Sequence, residues 1–232
     1  MSKSLHINGF SWKAVLFSER TILLKLVENE ELSIIHEVAS RFEKAHLKGV
    51  LEIIPAYQSI ALVYVHPIKN LDLEISRINE QIPIEPSETK DPVLHRIPVC
   101  YELGIDWKEV IGHTGMNRAA IIQKHLQGEY TVAMMGFTPG FIYLEGMNEE
   151  ISVPRRSSPR TKIPTGAVGI GGTQTGFYAL ESPGGWQIIG RTPKIYFDVT
   201  MKPPVPFKLG DKVKFEQITE SDFDRFIKGE RV

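Results

Sequence analysis

The residues most suited to chemistry lie between Gly136 and Pro193, where glycine, proline and arginine are concentrated. Between Val153 and Pro193, Glu181 is the only acidic residue, whereas the basic residues are Arg155, Arg156, Arg160, Lys162 and Arg191. Glycine allows close backbone approach, proline stiffens turns, and arginine presents a planar pair of donors to carboxylate or phosphate. The stretch therefore predicts a rigid loop surface that holds an anion.

Within this stretch, Arg155, Arg160 and Arg191 are predicted to bind the anion. Each is adjacent to a proline or one residue from one, so its backbone loses little entropy when the side chain binds a ligand. Gln174, between two threonines, is predicted to recognise an amide. An apolar wall is predicted from four aromatic residues, which are Phe137, Phe141, Tyr143 and Trp186. A pocket of this composition suits a small carboxylate, amide or phosphate.

Three residues before this stretch could also contribute to a site. His113, near the end of a predicted short helix, is either a cap or packing residue or a proton carrier, because imidazole titrates near physiological pH. Asp106, followed by Glu109 at the third helical position, predicts a helix N-cap. Cys100 is predicted to pack in an apolar strand, since nothing near it in the sequence would lower its pKa.

Several classes of site are not predicted. The 7 histidines form no short-range pair of the kind zinc sites favour, so no metal site is expected. The chain lacks a Gly-x-Ser-x-Gly nucleophile elbow and a Gly-x-x-x-x-Gly-Lys phosphate loop. Gly169-Ile170-Gly171 begins like a dinucleotide fingerprint, but Gln174 occupies the position of its third glycine.

Composition bounds the class of protein. The formal net charge of −1 does not indicate a nucleic-acid surface. The single cysteine, Cys100, cannot form an internal disulfide, which favours a reducing compartment. The N-terminal residues lack a signal-peptide core, and no segment reaches the roughly 18 apolar residues of a membrane helix. These features predict a cytoplasmic protein that does not contact a membrane.

The elements that precede residue 90 alternate between strand and helix patterns. Short apolar runs rich in β-branched residues predict strands over 14–17, 22–27, 50–54 and 60–65. Apolar residues at three- and four-residue spacing predict helices over 32–42 and 71–82. This order predicts an α/β sandwich over residues 1–88, with its helices on one face of an antiparallel sheet.

A different pattern follows the proline-rich segment 82–92, which is predicted to be a linker. Helices are predicted over 107–112, 117–126 and 222–228. Strands are predicted over 97–101, 132–135, 167–170, 177–180, 187–189 and 195–199. Many short strands with frequent turns predict a closed or nearly closed β-barrel over residues 89–232.

Distinctive strings run through the chain: PAY at 55–57, HTG at 113–115, MGFTPGF at 135–141, PRR at 154–156, SPRT at 158–161, VGIGGTQTG at 168–176, ESPGGW at 181–186 and GRTP at 190–193. Together they resemble the B subunit of the bacterial ATP-dependent 5-oxoprolinase, a family that includes KipI-type inhibitors of a sporulation histidine kinase. The same region is similar to the first-subunit region of allophanate hydrolases and urea amidolyases. The resemblance covers nearly the whole chain and is most specific in the second half.

The resemblance implies a ferredoxin-like N-terminal domain and a cyclophilin-like β-barrel C-terminal domain. It also implies a hydrolase subunit that is inactive alone and acts with subunits C and A. The complex would use ATP to open the lactam of 5-oxoproline to L-glutamate, which supplies anions of the predicted kind. Prolyl isomerase activity is not implied, because a shared fold does not fix function. The sequence does not decide which subunit binds ATP. It also does not decide whether the site spans the interface with the C subunit.

Two alternatives to an enzyme subunit remain open from the sequence. In the first, the barrel surface binds the dimerisation helices of a histidine kinase and blocks autophosphorylation. In the second, the chain is a non-catalytic module that binds a small carboxylate. One surface could serve both catalysis and kinase inhibition.

Overall fold

The computed structural model of the chain describes residues 2–27, 31–82 and 91–230. The chain divides into two compact units, Met1–Asp91 and Pro92–Val232. Most of the linker predicted at 82–92 lies outside the described residues. Each unit has its own buried hydrophobic cluster, so each is described separately.

Over residues 2–27 and 31–82, the first unit combines an antiparallel sheet with two helices. Its strands are β1 Ser2–Ile7, β2 Phe10–Ser18, β3 Thr21–Leu26, β4 Val50–Pro55 and β5 Ser59–Tyr64, and its helices are α1 Leu32–Ala45 and α2 Leu71–Gln81. Within the described residues, the sheet has the order β1-β2-β3-β5-β4. The predicted helices and strands of this unit are confirmed within a few residues, but β1 was missed.

One face of this sheet carries the core of the first unit. Alternate residues of the strands are buried, as in the pairs Ile22 with Leu24 and Ile60 with Leu62, because successive side chains of a strand point to opposite faces. Buried residues of both helices, including Phe42 and Ile78, belong to the same cluster. The missed β1 is joined to β2 by Asn8-Gly9, both with positive φ (56° and 77°), which is the turn chemistry of a tight hairpin.

In the part that the structure describes, the second unit is built from short strands and three α-helices. Its strands are β6 Leu94–Val99, β7 Tyr130–Met135, β8 Ile142–Glu145, β9 Arg160–Ile163, β10 Ala167–Gly171, β11 Gln174–Phe177, β12 Ser182–Gly184, β13 Gln187–Arg191 and β14 Lys212–Gln217. Its helices are α3 Trp107–Thr114, α4 Arg118–Gln127 and α5 Glu220–Ile227. Over residues 91–230, seven strands form one sheet in the order β13-β10-β11-β8-β7-β14-β6, and β12 pairs with β9 separately.

The two outer strands of the large sheet meet, so the sheet forms a nearly closed barrel as predicted. Just after β6, the Cys100 amide donates to the Arg191 carbonyl at 2.8 Å, and the Arg191 amide donates back to the Cys100 carbonyl at 3.0 Å. The amides of Ile105 and Asp106 also donate to the Ile188 carbonyl on β13, both at 3.0 Å. These bonds satisfy part of the free edge of β13.

Two predicted strands need correction. The strand expected over 177–180 lies at Gln174–Phe177 instead. The run 195–199 is not a strand, because its β-branched residues face solvent: Ile195 is 75% exposed and Val199 77%. Tyr196 packs inward on Phe177 with ring centroids 5.1 Å apart. The predictions also missed β8, β9, β12 and β14.

A polar network lies inside the barrel around His125, which is fully buried. Its Nδ1 lies 2.7 Å from the Tyr101 hydroxyl, and its Nε2 lies 2.9 Å from Thr175 Oγ1. Because Thr175 Oγ1 donates its one hydrogen to the Gly169 carbonyl at 2.9 Å, it accepts from His125 Nε2, and Nδ1 accepts from Tyr101. Burial lowers the pKa of His125 to about 3, so the ring is neutral.

Candidate functional site

The carboxylate of Asp106 holds two arginines together. Its oxygens accept hydrogen bonds from Arg160 Nη1 at 2.8 Å and Arg156 Nη1 at 3.1 Å, and Arg160 Nη2 donates to it as well. The Ile188 amide donates to the same carboxylate at 2.7 Å. Asp106 is 0% exposed, whereas both arginines are only partly buried. We call Asp106, Arg156 and Arg160 the arginine group.

The predicted capping role of Asp106 is wrong. Its backbone occupies the N-cap position of α3, but its side chain makes no capping hydrogen bond. Guanidinium groups form stronger charge-assisted hydrogen bonds to a carboxylate than the uncharged N–H groups of a helix end do. The side chain therefore turns from the helix towards the segment that carries the arginines.

Next to this group, four aromatic rings form a cluster on the outer face of the barrel sheet, where three of them are buried and only Tyr143 is partly exposed. The Phe141 ring lies 4.6 Å from Tyr143, 4.7 Å from Tyr178 and 5.3 Å from Trp186, measured between centroids. Tyr143 and Trp186 are 5.6 Å apart. The structure thus brings three of the predicted wall residues together and adds Tyr178. We call Phe141, Tyr143, Tyr178 and Trp186 the aromatic cluster.

Glycines allow the indole of Trp186 to lie flat against the sheet. A Cβ atom added to Gly171 would lie 2.6 Å from Trp186 Nε1, and one added to Gly169 would lie 3.3 Å from Trp186 Cβ. One added to Gly176 would lie 3.4 Å from the same ring and would also collide with the Ile142 carbonyl. The close approach that these glycines permit is therefore made by a tryptophan ring.

Arg155 lies over this aromatic surface. Its guanidinium carbon is 5.7 Å from the centre of the Trp186 ring, within the range of a cation–π interaction. Burial raises the pKa of Tyr143, and the positive charge of Arg155 opposes that rise. Within residues 2–27, 31–82 and 91–230, Arg155 forms no ion pair. Its exposed charge is available to a ligand.

Phe137 stands at the edge of the aromatic cluster in an unusual backbone conformation. Its φ is 71°, and the Thr138 amide donates to the Gly136 carbonyl across it at 2.9 Å, which closes a three-residue γ-turn that is rare and strained. Its ring is 62% exposed and lies 5.7 Å from Phe141. A bulky residue at positive φ is a conformational outlier of a kind that clusters at functional sites.

Gln174 begins β11 and shares a sheet face with the glycines under Trp186. It pairs with Gly171, and Gly169 pairs with Gly176. Because directly paired residues of neighbouring strands point to the same face, the Gln174 side chain lies on the face that carries the aromatic cluster. Its partial exposure leaves the amide open to a ligand.

Two predicted residues lie away from the arginine group. Arg191 pairs with Ala167 on the same sheet face, but it is three residues beyond Ile188 on β13, about 10 Å away at the usual rise of a strand. Its Nε donates to the Thr165 carbonyl at 2.8 Å, and its guanidinium lies over Phe223. His113 is exposed in the last turn of α3, about 10 Å along the helix from Asp106. Both predicted roles stay predictions.

Cys100 is buried, as its apolar surroundings predicted. Its thiol donates to Glu102 Oε2 at 3.3 Å. Burial and this hydrogen bond raise its pKa to about 11, so it is a thiol at neutral pH.

Asp106 and Arg156 were missed by the sequence reasoning as parts of one site. The excess of basic residues in the sequence did include Arg156. Its acidic partner, however, lies fifty positions earlier in the chain, so the pairing was not visible. An aspartate between Ile105 and Trp107 carries no local sign that it pairs with arginine.

The described residues contain no group of His, Cys, Asp and Glu side chains that could hold a metal ion. Among the helices of the same residues, none combines the length and the apolar character needed to cross a membrane.

Known proteins and one protein family are similar to this chain. The family described as "Carboxyltransferase domain, subdomain C and D" matches residues 12–207. The 5-oxoprolinase B subunit of Bacillus subtilis (strain 168) is 40% identical over 212 residues, which cover 85% of this chain and 88% of that protein. The 5-oxoprolinase B subunit of Escherichia coli O157:H7 is 38% identical over 174 residues, covering 73% of this chain and 78% of that protein.

Solved structures show the same arrangement of elements. The crystal structure of TTHA0988 is 30% identical with a TM-score of 0.73, and the match covers 86% of this chain but only 39% of that one. The urea amidolyase of K. lactis has a TM-score of 0.76 at 18% identity, covering 98% of this chain and 16% of that one. At that identity the likeness shows the fold alone. This chain thus corresponds to less than half of each of these longer proteins.

Proposed function

This chain belongs to the family of carboxyltransferase subdomains C and D, among relatives that are 5-oxoprolinase B subunits, and we propose that it is itself the B subunit of an ATP-dependent 5-oxoprolinase. With subunits A and C it opens 5-oxoproline to L-glutamate, coupled to ATP hydrolysis. Alone it is inactive. The ferredoxin-like and cyclophilin-like domain types, and the cytoplasmic location, are part of this proposal.

The observation that carries the proposal is the excess of guanidinium beside the aromatic cluster. Arg156 and Arg160 share the carboxylate of Asp106, and Arg155 adds a third positive charge. 5-Oxoproline has a carboxylate, which guanidinium groups bind, and a compact ring that can pack on the exposed parts of Phe137 and Tyr143. The Gln174 amide can donate to the lactam carbonyl and accept from the lactam N–H. The substrate's functional groups therefore match the residues on this surface.

This chain supplies binding and orientation rather than a complete catalytic set. Cys100 is a buried thiol, and His125 is buried and neutral with both ring nitrogens hydrogen-bonded. A neutral, fully engaged imidazole inside the barrel is a poor proton carrier for a surface ligand. His113 is exposed and free to act at a surface, but it lies along α3 from the arginine group. The proton carriers are therefore expected from the partner subunits or from His113.

The glycine-rich strings do not fit a nucleotide phosphate. Of the positions that would cradle a phosphate, Gly171 is covered by the Trp186 ring, and Gly169 is covered by Ile188 Cδ1 and Trp186 Cβ. ATP is accordingly proposed to bind to a partner subunit. The kinase-inhibitor alternative receives no support from the comparisons, in which the relatives are 5-oxoprolinase B subunits and urea amidolyases.

Reconstitution tests the proposal. Purified chain is mixed with the A and C subunits of the same organism, and 5-oxoproline-dependent ATP hydrolysis is measured. Activity is expected only in the complete mixture. Arg155→Ala is expected to lower kcat/KM about 10- to 100-fold, since hydrogen bonds to charged groups are worth about 1.5–3 kcal/mol. Arg96→Ala, which removes a surface ion pair with Glu216, is the matched control and retains activity.

The outcome that overturns the proposal is an inactive complete mixture. If the chain alone then suppresses histidine kinase autophosphorylation, the inhibitor alternative replaces it.

A further inference from the structure

The arginine group is not balanced in charge. Asp106 contributes one negative charge, while Arg156 and Arg160 contribute two positive charges. Arg160 occupies both carboxylate oxygens, and Arg156 reaches one of them with Nη1. Arg156 Nε is buried and has no hydrogen-bond partner among the described residues. The hydrogen bonds that a guanidinium can make are therefore incomplete at Arg156.

A second buried carboxylate of the same unit shows what a balanced group looks like. Asp211 is 4% exposed and accepts from the backbone amides of Lys208 at 2.9 Å and Val93 at 3.1 Å. Its remaining partner is His95, at 2.8 Å. No surplus cation lies in this group. It joins two segments of the barrel, so its role is structural.

Charge that is partly withdrawn from water and left without a counterion is costly. The Arg156 side chain is 27% exposed, so the group is not sealed from solvent. A ligand oxyanion beside the exposed part of Arg156 would supply the missing negative charge and accept hydrogen bonds from its guanidinium.

From this geometry we infer that Asp106 is a positioning residue, which fixes Arg156 so that its free N–H groups bind the carboxylate of the substrate. Asp106 is itself held by the Ile188 amide on β13, and its own amide donates to the Ile188 carbonyl. The barrel edge therefore sets the place of Asp106, and Asp106 sets the place of the guanidinium. The inference rests on the proposed function, which identifies the substrate as 5-oxoproline.

The test uses the reconstituted complex and measures KM for 5-oxoproline separately from kcat. Asp106→Asn keeps the shape of the side chain and removes its charge, and Asp211→Asn is the matched control for loss of a buried carboxylate. We expect Asp106→Asn to raise KM at least 10-fold, and Asp211→Asn to leave KM within 2-fold even if both lower Tm. Equal KM values for the two variants overturn the positioning role.

A second variant keeps the inference testable if Asp106→Asn fails to fold. Arg156→Gln removes only the partly exposed guanidinium, and we expect it to raise KM as Asp106→Asn does. Arg156→Lys, which retains the charge, is expected to recover part of that loss. A KM for Arg156→Gln within 2-fold of wild type overturns the role of Arg156.

Failure of the proposed function is distinguished by direct binding. If the wild-type complex shows no 5-oxoproline-dependent ATP hydrolysis, the isolated chain is titrated calorimetrically with 5-oxoproline and with inorganic phosphate. Binding of either probe that Arg156→Gln abolishes supports an oxyanion site without supporting the 5-oxoprolinase assignment. A wild-type chain that binds neither probe, or a variant that binds as wild type does, overturns the inference.

Discussion

Two polar groups of the second unit, one inside the barrel and one beside strand β13, are built on opposite principles. Inside, His125, Tyr101 and Thr175 form a neutral chain in which each hydrogen finds an acceptor. Outside, Asp106 is shared by Arg156 and Arg160, and positive charge remains. A complete neutral network stabilises a core, whereas a charged group with unbalanced positive charge can bind an anionic ligand. Whether a polar group has all its hydrogen-bond and charge partners thus distinguishes a structural group from a proposed site better than its residue types do.

The largest effect is expected when acid disrupts the network around His125 and lowers the free energy of unfolding. Because burial depresses the pKa of His125 from 6.5 to about 3, unfolded chains bind more protons than folded ones between these values. The contribution of neutral His125 to the free energy of unfolding is complete above pH 6.5. It is lost as the pH falls towards 3, at about 1.4 kcal/mol per pH unit. Urea unfolding of wild type and His125→Gln at several pH values measures this loss.

His125→Gln lacks the titrating group, so the stability difference between the two proteins should narrow as the pH falls below 6.5. A difference that stays constant from pH 7 to pH 4 would show that His125 is not held neutral.

An intermediate effect is expected on the outer face, at the glycines under Trp186. Gly171→Ala places a Cβ atom 2.6 Å from Trp186 Nε1, so the indole must move, at a cost of about 1–3 kcal/mol for overpacking. The same shift should change the tryptophan fluorescence and raise KM for 5-oxoproline in the complex.

Gly112→Ala is the control for this substitution, because a Cβ atom at Gly112 would meet nothing within 4 Å. Gly112 lies inside α3, where alanine is favoured over glycine by about 1 kcal/mol. The two substitutions should therefore have opposite signs in thermal unfolding. Destabilisation by both would mean that the indole is not the cause.

The smallest effect is expected at Arg191, which tests whether position or residue type makes an arginine functional. Its Nε donates to the Thr165 carbonyl, so Arg191→Ala should cost about 0.5–1.5 kcal/mol of stability. KM for 5-oxoproline should change less than with Arg155→Ala when both are measured in the complex. A KM increase as large as that of Arg155→Ala would restore Arg191 to the site.

Local patterns predicted most elements of the fold, since the buried positions repeat with the period of the element. Helices α1, α2, α4 and α5 begin and end close to their predicted residues. The strand expected over 195–199 was wrong for a physical reason: apolar β-branched residues favour a strand only when a partner strand and a buried face are available, and Ile195 has neither.

The site was predictable in its aromatic half and much less so in its charged half. Phe141, Tyr143 and Trp186 lie within one motif-rich stretch, and they do pack together. The pairing of Asp106 with Arg160 depends on how β13 and the loop before α3 meet. Such long-range pairing leaves no periodic trace in the sequence, which is why Asp106 was interpreted from its nearest neighbours as a cap.

The place of β14 in the sheet has a consequence for the order in which the two units form during synthesis. Strand β14 lies between β7 and β6 and pairs with both, although it is the last strand of the chain to be made. Until residues 212–217 have left the ribosome, β6 and β7 have no common neighbour and present open edges that can pair with other chains. The first unit meets no such delay, because its sheet and helices are complete at Gln81. A nascent chain can therefore complete the first unit while the barrel still lacks its connecting strand, and an open-edged intermediate of this kind is prone to aggregate.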